Sequence, residues 1–350
     1  MLNSLRAVAR FFQDRIGWNR IGVLLSLTII AVAAMVLYHM LREVNVDEIY
    51  AALKATRPHQ IAAAALFVAC GYITLTFYDW FALRAIGRSE IPYRIAALSG
   101  FTSYSIGHNI GATVFTGGAV RYRIYSGYGL DAIEVAKICF IAGLTFWLGN
   151  VTVLGLGVLH SPEAAMPIDR LPAWANRDIA IVMLLVLASY LGWVWSAPRV
   201  IGQREWQVRL PDGPSTLVQI VIGIFDLGFC ALAMYMLLPA SPNITFVELV
   251  VVFVTATMLG FASHAPGGLG VFDAAMLVAL WQYDKEDVLA GLLLFRLLYY
   301  LSPFIIALAI LGAREIWLSV RREKPLPGLK APAATAPIRS EIEIEETDAG

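Results

Sequence analysis

The chain has 350 residues, of which 59% are hydrophobic and only 15% are charged, and its mean hydropathy is +0.69. Soluble globular domains are far less apolar, so this composition excludes a soluble protein and indicates an integral membrane protein. The 26 basic residues balance the 26 acidic residues, and the distribution of charge along the chain is therefore more informative than its net charge.

The apolar runs predict an all-α membrane protein with six full spans. Residues 1–20 carry four arginines and precede the first span at 21–41, which we expect to be retained because no small-residue cleavage site follows it. The other full spans are predicted at residues 61–83, 131–159, 179–196, 216–238 and 288–312. The membrane domain is thus predicted to cover 21–312. Residues 321–350 mix Pro, Ala, Lys and Glu, a composition that predicts a disordered cytoplasmic tail.

Two other apolar segments are interrupted by a Gly-Gly pair. The first contains GHNIGATVFTGGAVRYRIYSGYG at residues 107–129, and the second contains SHAPGGLGVFD at residues 263–273 within the segment 246–283. Lipid cannot satisfy the N–H and C=O groups of non-helical backbone, so such breaks occur at membrane depth only where protein or a wet cavity surrounds them. Both segments are therefore predicted to be broken or re-entrant and to mark the functional site.

The lysines and arginines predict how the chain is threaded through the bilayer. If the N-terminus is cytoplasmic and each broken segment enters and leaves on one face, most basic residues fall on the cytoplasmic side. Before the C-terminal tail, that side holds Arg6, Arg10, Arg15, Arg20, Arg84, Arg88, Arg94, Arg121, Arg123, Arg199, Arg204 and Arg209. The opposite side holds Arg42, Lys54, Arg57, Arg170, Arg177 and Lys285. Both termini are thus predicted to be cytoplasmic, with the first broken segment on the cytoplasmic side and the second on the outer side.

This threading also predicts an inverted repeat, with halves at about 21–159 and 179–312. Three short matches in the same order and at nearly one offset support it. They are Tyr78-Asp79 with Phe225-Asp226, Gly117-Gly118 with Gly267-Gly268, and Ala142-Gly143-Leu144 with Ala290-Gly291-Leu292. In transporters with inverted repeats and broken helices, substrate binds near the bilayer midplane and one half rocks against the other. The architecture therefore favours a translocator.

The first break is predicted to hold a phosphate. Gly117 and Gly118 permit a tight turn, and a helix starting near Ala119 would present free N–H groups and the positive end of its dipole. Arg121 and Arg123 would add fixed positive charge at the same place. The alternative is that both arginines are positive-inside anchors that reach toward anionic headgroups.

The other polar residues of the breaks have two interpretations each. His108 and Asn109 are expected to cap backbone groups, with proton relay as the alternative for His108. The second break, where proline and glycine predict a sharp bend, contributes the candidates His264, Gly267, Gly268 and Asp273. Asp273 either balances the dipole of the following helix or faces a cavity and meets a cationic headgroup.

Two charged residues fall deep inside predicted spans. Asp226 lies near the centre of its span, and Arg296 lies inside the last one. A charge at such depth costs about 3 kcal/mol even on the lenient insertion scale, so neither residue is expected to face lipid. Either the two residues pair with each other, or Asp226 and its repeat partner Asp79 line the substrate path, where they meet a positive headgroup or a proton.

The two glycine motifs carry a family resemblance. GHNIGATVFTGGAVRYRIYSGYGL, with its Gly-Gly-x-x-Arg-x-Arg core, and SHAPGGLGVFD resemble the signature stretches of the transmembrane region of the lysylphosphatidylglycerol synthase/flippase family. The resemblance covers most of residues 20–315. In the bifunctional relatives this region is the flippase, which moves aminoacylated phosphatidylglycerol between leaflets, and a separate cytosolic domain transfers lysine from charged tRNA. Relatives often carry Glu where this chain has Asp273, a change that keeps the charge and shortens its reach.

The resemblance implies a phospholipid flippase of the bacterial inner membrane and not an enzyme. The chain ends at Gly350, and we expect the roughly thirty residues after the last span to be too few for an aminoacyltransferase domain. No Walker loop, GxSxG, HExxH or metal-spaced cysteine pair is present, so no metal and no cofactor are expected. The expected partner is a membrane phospholipid and not a nucleic acid. The alternative function is a non-transporting membrane scaffold that docks a separate lipid-modifying or glycosyl-transferring enzyme.

Overall fold

The computed structural model describes residues 46–111, 113–203, 206–263 and 266–322, together with isolated positions between residues 28 and 38. The predicted N-terminal segment, most of the predicted span at 21–41 and the chain from residue 323 onward lie outside the described residues. The chain divides into two compact units, Met1–Gly312 and Ala313–Gly350.

Helices account for most of the described chain. In chain order they are α1 Val46–Ala55, α2 Pro58–Ala85, α3 Tyr93–Ile110, α4 Thr113–Tyr125, α5 Ala132–His160, α6 Met166–Asp169, α7 Ala173–Ser196, α8 Gly213–Leu237, α9 Phe246–Ala262, α10 Val271–Ala279, α11 Lys285–Phe295 and α12 Ser302–Arg322. A π-helical segment, Arg296–Leu301, joins α11 to α12. Long apolar runs form helices in a bilayer because lipid offers no hydrogen-bond partners, so each segment must satisfy its own backbone.

Five helical segments of the described chain are long and apolar enough to span a bilayer. They are α2, α5, α7, α8 and the continuous stretch Lys285–Leu318. These five correspond to the predicted spans that begin at residues 61, 131, 179, 216 and 288. The last helix is longer than predicted, because α12 continues to Arg322 and so extends into the segment predicted as disordered. The sixth predicted span, at 21–41, falls almost wholly outside the described residues.

The first broken segment is interrupted earlier than the Gly-Gly pair predicts. The break lies at Gly111, which has a φ of 84° and stands between the end of α3 and the start of α4. Gly117 and Gly118 lie inside α4, so the predicted helix start near Ala119 is wrong. The pair serves packing instead, since a Cβ added to Gly117 would lie 3.1 Å from the carbonyl oxygen of Ser103 on α3.

The second broken segment is interrupted at its Gly-Gly pair, as predicted. Gly267, Gly268 and Gly270 have φ values of 59°, 63° and 79°, between the end of α9 and the start of α10. Glycine adopts positive φ without steric cost because it has no Cβ. The two Gly-Gly pairs therefore differ in conformation, and their match does not support the inverted repeat, which stays a prediction.

One small antiparallel pair of strands departs from the all-α prediction. Between α7 and α8, β1 (Val200–Ile201) pairs with β2 (Val208–Arg209). After β2, the Asp212 carboxylate accepts a hydrogen bond of 3.0 Å from the backbone N–H of Ser215 and so caps α8. Hydrogen bonds from Ser215 lower the pKa of Asp212. This cap determines where the central helix begins.

Several arginines gather at one end of the bundle. Arg88, after α2, donates hydrogen bonds of 2.7 and 2.9 Å to Glu134 in the first turn of α5, and hydrogen bonds to Glu134 and then Glu90 raise the pKa of Arg88. Arg84 and Arg209 line one cleft between the end of α2 and the start of α8. The structure thus places at one end three arginines that the threading assigns to one side of the membrane.

The centre of the bundle is α8, which packs against α2 and α5. Helices α5 and α8 cross at Gly149 and Gly223, where a Cβ added to either glycine would lie 2.6 Å from the Cα of the other. Small residues let helix backbones approach closely in membranes, where van der Waals packing drives association. The crossing holds the following turn of α8, which carries Asp226, in the interior of the bundle.

We expect Gly223→Ala to lower the free energy of unfolding by about 1–3 kcal/mol, because the added methyl group overlaps the backbone of α5. The matched control is Gly228→Ala on the same helix, where nothing lies within 4 Å of the added Cβ. That control is expected to be neutral or slightly stabilising. Thermal unfolding of both variants in detergent measures the difference, and equal melting temperatures would contradict the close crossing.

Candidate functional site

The deepest feature of the candidate site is an ion pair between α2 and α4. Arg121 donates from Nε to both carboxylate oxygens of Asp79, at 3.0 and 3.1 Å, and from its terminal nitrogen to Oδ1 at 2.8 Å. The Tyr125 hydroxyl donates to Oδ2 of Asp79 at 2.8 Å. Asp79 and Arg121 are only 0% and 3% exposed. Each charge in this low-dielectric interior is therefore balanced by its partner.

Small and aromatic residues shape the space around Arg121. A Cβ added to Gly117, one turn earlier on α4, would lie 3.3 Å from the guanidinium, so glycine leaves room for it. The guanidinium carbon lies 4.8 Å from the centroid of the Tyr104 ring on α3, within cation–π range. Arg121, on the helix after the first break, thus packs against the helix before the break.

A second ion pair follows the second break. Arg296, at the start of the π-helical segment, donates from Nε to Oδ1 of Asp273 on α10 at 3.1 Å, and its terminal nitrogen bonds the other carboxylate oxygen. Asp273 also accepts a hydrogen bond of 3.0 Å from the backbone N–H of Gly270. The side chains of Arg296 and Asp273 are 16% and 22% exposed, so this pair is more accessible than the first. Asp273 thus binds the backbone at the start of α10 and also carries an ion pair, and its contact with a cationic headgroup stays a prediction.

The two broken segments contact each other. A Cβ added to Gly267 would lie 3.9 Å from the carbonyl oxygen of His108, near the end of α3, and 3.7 Å from the Tyr300 ring. The Asn109 side-chain amide donates to the carbonyl oxygens of Ser105 at 2.8 Å and Tyr300 at 3.2 Å. Asn109 thus binds backbone carbonyl groups, and its role in substrate binding stays a prediction. Gly267 is buried at this contact, whereas Gly111 is half-buried and Leu269 and Gly270 are exposed.

Aromatic rings surround His108 at this contact. Its ring centroid lies 5.6 Å from that of Tyr104, 6.2 Å from that of Phe261 and 6.3 Å from that of Tyr299. The three rings come from α3, α9 and the π-helical segment, so His108 is where both broken segments and the last span converge. Capping and proton relay by His108 both stay predictions.

Asp226 is a buried carboxylate outside both ion pairs. It is 4% exposed, and its Oδ2 accepts a hydrogen bond of 2.9 Å from the Tyr78 hydroxyl on α2. Its Oδ1 has no hydrogen-bond partner in the described part of the protein. The predicted pairing of Asp226 with Arg296 is wrong, because Arg296 instead binds Asp273. The alternative, that Asp226 and Asp79 line the substrate path, stays a prediction.

The remaining predicted residues are placed less centrally. Arg123 lies two residues beyond Arg121 on α4 and is half-buried, and its role as a phosphate ligand stays a prediction. Gly118 lies inside α4, with Sγ of Cys139 3.5 Å from the position of an added Cβ. His264 lies outside the described residues.

Sequence reasoning missed the tyrosines that support the charged groups. Tyr125 binds Asp79, Tyr78 binds Asp226, and the rings of Tyr78 and Tyr104 pack edge-to-face with centroids 5.7 Å apart. One signal was available, since Tyr78 precedes Asp79 in a predicted span and an aromatic residue likewise precedes Asp226. The position of Tyr125 four residues after Arg121 also places both on one face of a helix.

Comparison with known proteins extends the resemblance over most of the chain. Residues 22–307 match the family described as Lysylphosphatidylglycerol synthase TM region. The uncharacterized protein slr0712 of Synechocystis sp. is 30% identical over 266 residues, which cover 76% of this chain and 82% of that protein. The inner membrane protein YbhN of Escherichia coli is 26% identical over 294 residues, which cover 82% of this chain and 89% of that protein.

Larger proteins contain the same region. The phosphatidylglycerol lysyltransferase of Staphylococcus haemolyticus is 26% identical over 315 residues, which cover 86% of this chain but only 34% of that protein. The chain thus spans about a third of the length of that enzyme. Because the family match takes in both broken segments and all five described spans except the end of the last, the chain belongs to the family of the lysylphosphatidylglycerol synthase TM region.

Proposed function

We propose that the protein is a phospholipid translocator that binds the lipid headgroup at its paired broken helices. The observation that carries the proposal is the contact between the two breaks, where Gly267 approaches His108 and Tyr300. The helix after each break carries one member of an ion pair, Arg121 on α4 and Asp273 on α10. Charges and irregular backbone are costly at membrane depth and are typical of substrate pathways.

Arg121 is the proposed ligand for the lipid phosphate. Guanidinium groups bind carboxylates and phosphates through the same pair of parallel hydrogen bonds. Asp79 occupies those donors in this structure, so an entering phosphate would take the place of the carboxylate. The exchange keeps Arg121 paired, while Asp79 keeps the hydrogen bond from Tyr125 and must be hydrated or protonated when the phosphate binds. Arg123 on the same helix would add attraction for an anionic headgroup.

Asp273 is the proposed ligand for a positively charged part of the headgroup. Its carboxylate is paired with Arg296 but is more exposed than that of Asp79, so a lipid amine can compete with the arginine. The names of the relatives favour aminoacylated phosphatidylglycerol as such a lipid, since a phosphatidylglycerol lysyltransferase matches this chain over 86% of its length. Lysyl-phosphatidylglycerol carries both a phosphate and amines and would engage both ion pairs.

The proposed setting is the bacterial inner membrane, with translocation and not aminoacyl transfer as the activity. The Escherichia coli relative is an inner membrane protein by name. The match covers the membrane region of the lysyltransferases and about a third of their length, so we assign no transfer of lysine to these residues. The arginines gathered at one end of the bundle support the cytoplasmic assignment of that end.

Reconstituted vesicles test this function. Purified protein in liposomes containing fluorescent phosphatidylglycerol should make the inner-leaflet label accessible to an external quencher, whereas protein-free liposomes should not. We expect Arg121→Ala to slow this exchange by about tenfold to a hundredfold, the loss of a bidentate charged hydrogen bond. The control Arg94→Ala removes an exposed arginine near the start of α3 and should leave exchange unchanged.

Two outcomes would contradict the proposal. Equal exchange rates for Arg121→Ala and Arg94→Ala would remove Arg121 as a phosphate ligand. No exchange by the folded wild-type protein, with either phosphatidylglycerol or its lysyl ester, would favour the scaffold that docks a lipid-modifying enzyme.

A further inference from the structure

Asp226 stands apart from the two ion pairs because no cation balances it. It lies on α8 in the middle of the bundle and is 4% exposed. In the part of the chain that the structure describes, no arginine, lysine or histidine forms a salt bridge with it. Its only protein hydrogen bond there comes from the Tyr78 hydroxyl, to Oδ2.

The contacts that the structure shows around Asp226 involve neutral groups. Tyr78 on α2 binds it, the Tyr104 ring on α3 packs on Tyr78, and Cys230 lies one turn later on the same face of α8. Tyrosine and cysteine carry no positive charge in any protonation state. An isolated carboxylate is far more costly to bury than a neutral carboxylic acid, so these surroundings suit the acid.

The hydrogen-bond geometry indicates which oxygen holds the proton. Oδ2 already accepts the Tyr78 hydroxyl at 2.9 Å, whereas Oδ1 has no hydrogen-bond partner among the described residues. A proton on Oδ1 removes the charge while it leaves the Tyr78 hydrogen bond intact. With that proton, Asp226 would be a neutral side chain in a site that is only 4% exposed.

Two ring contacts connect Asp226 to the proposed phosphate site. Tyr78, which binds Asp226, packs edge-to-face on Tyr104 with ring centroids 5.7 Å apart. The Tyr104 ring in turn lies 4.8 Å from the guanidinium carbon of Arg121. A headgroup that draws Arg121 away from Asp79 would therefore disturb the ring that supports Tyr78. The charge state of Asp226 and the occupancy of the headgroup site are thus physically linked.

We propose that Asp226 is a proton-binding site, and that the protein couples lipid movement to proton movement through this carboxyl group. The inference rests on the proposed translocation and adds the proton as its co-substrate. When the bundle opens to one face, the O–H bond of the carboxylic acid breaks and the proton passes to water on that face. The carboxylate that remains is hydrated there until the bundle, with lipid bound, closes to that face and opens to the other, where the carboxylate takes a proton from water before the protonated bundle returns. One proton thus crosses in each cycle, and no other reactant is consumed.

A pH gradient across the proteoliposome membrane tests the coupling. Vesicles containing fluorescent phosphatidylglycerol are given a difference of one pH unit, with the membrane potential held at zero by equal potassium and valinomycin. For one proton per lipid, we expect the wild-type protein to change the ratio of label in the two leaflets by up to about tenfold. Reversing the gradient should invert that ratio. Asp226→Asn, which mimics the protonated acid, should exchange lipid at equal pH but should not respond to the gradient.

Three further variants make the result specific. Asp226→Glu keeps an ionisable carboxyl group and should retain the gradient response. Asp178→Asn removes an exposed carboxylate on α7 and should behave as wild type. Tyr78→Phe removes the hydrogen bond to the charged form and should move the pH at which exchange is half-maximal upward.

The outcomes separate this inference from the function on which it rests. Wild-type exchange that ignores the gradient, or a gradient response that survives in Asp226→Asn, overturns the coupling and leaves translocation standing. No wild-type exchange at any pH overturns both. Because Asp226→Asn can fail to fold, infrared difference spectroscopy gives an independent measurement in detergent. The wild-type protein at neutral pH should show the C=O band of a protonated carboxyl group that disappears at alkaline pH and that Asp226→Glu shifts in frequency, and its absence would overturn the assignment.

Discussion

Neutralising both members of the Asp79–Arg121 pair is expected to preserve folding but to slow lipid exchange by about tenfold to a hundredfold. Asp79→Asn alone leaves a buried arginine without its partner, and Arg121→Gln alone leaves a buried carboxylate. Each single variant should lose about 3–5 kcal/mol of stability, because an unpaired charge is left in the interior. In the double variant no charge remains, so most of that loss should be recovered.

Transport should not recover with stability in the double variant. If Arg121 holds the lipid phosphate, Asn and Gln cannot replace a guanidinium that is charged and bidentate. The measurements are the melting temperature in detergent and the exchange rate in liposomes for the four proteins of the mutant cycle. A double variant that is stable and also exchanges lipid at the wild-type rate would show that the pair is structural only.

A surface ion pair provides the control for this cycle. Arg88 and Glu134 form hydrogen bonds as short as those of the buried pair, but their side chains are 30% and 25% exposed. Solvent screens such pairs, so Arg88→Gln/Glu134→Gln should change stability by about 1 kcal/mol or less. Exchange should remain at the wild-type rate, since this pair lies at the end of the bundle and not beside the breaks.

The membrane-spanning helices could be predicted from sequence because hydropathy is a local property. Each described span needed only a run of apolar residues long enough to cross the bilayer, and the runs in α2, α5, α7 and α8 have that length. The side chains that bind each other across different helices could not be predicted in the same way. Asp79 and Arg121 are 42 residues apart in the chain, and the packing of α3 against both α2 and α4 brings them together.

The glycines of the first break show a different limit of sequence reasoning. Glycine serves both as a residue that adopts positive φ and as a residue that permits close packing. Gly111 has the first role and Gly117 has the second, but nothing in the local sequence separates them. The break was predicted at the Gly-Gly pair because two glycines favour a helix break more strongly than one glycine does. The break lies instead at the single glycine, Gly111.

The ion pairs also differ between the two halves in a way that sequence did not indicate. After the first break the helix contributes the base, Arg121, and a spanning helix contributes the acid. After the second break the helix contributes the acid, Asp273, and the last span contributes the base. If the halves are inverted repeats, the acidic and the basic member of the ion pair have changed places between the two breaks. A zwitterionic headgroup between the breaks would then find a base on one re-entrant helix and an acid on the other.

The glycines of the second break are expected to tolerate alanine less well than glycines that lie in regular helix. Gly267→Ala/Gly268→Ala places two alanines at φ values of 59° and 63°, which should cost about 2–4 kcal/mol in total because the left-handed region is strained for residues with a Cβ.

The control, Gly118→Ala/Gly228→Ala, places two alanines in regular helix, where an added Cβ meets at closest the sulfur of Cys139 at 3.5 Å. This control variant should keep the wild-type melting temperature and exchange rate. Gly267→Ala/Gly268→Ala should have a lower melting temperature and slower exchange, because the break at Gly267 makes the contact with His108 and Tyr300 on which the headgroup site depends. Equal tolerance of both double variants, measured by thermal unfolding and by exchange in liposomes, would mean that the positive φ values at the second break are not required.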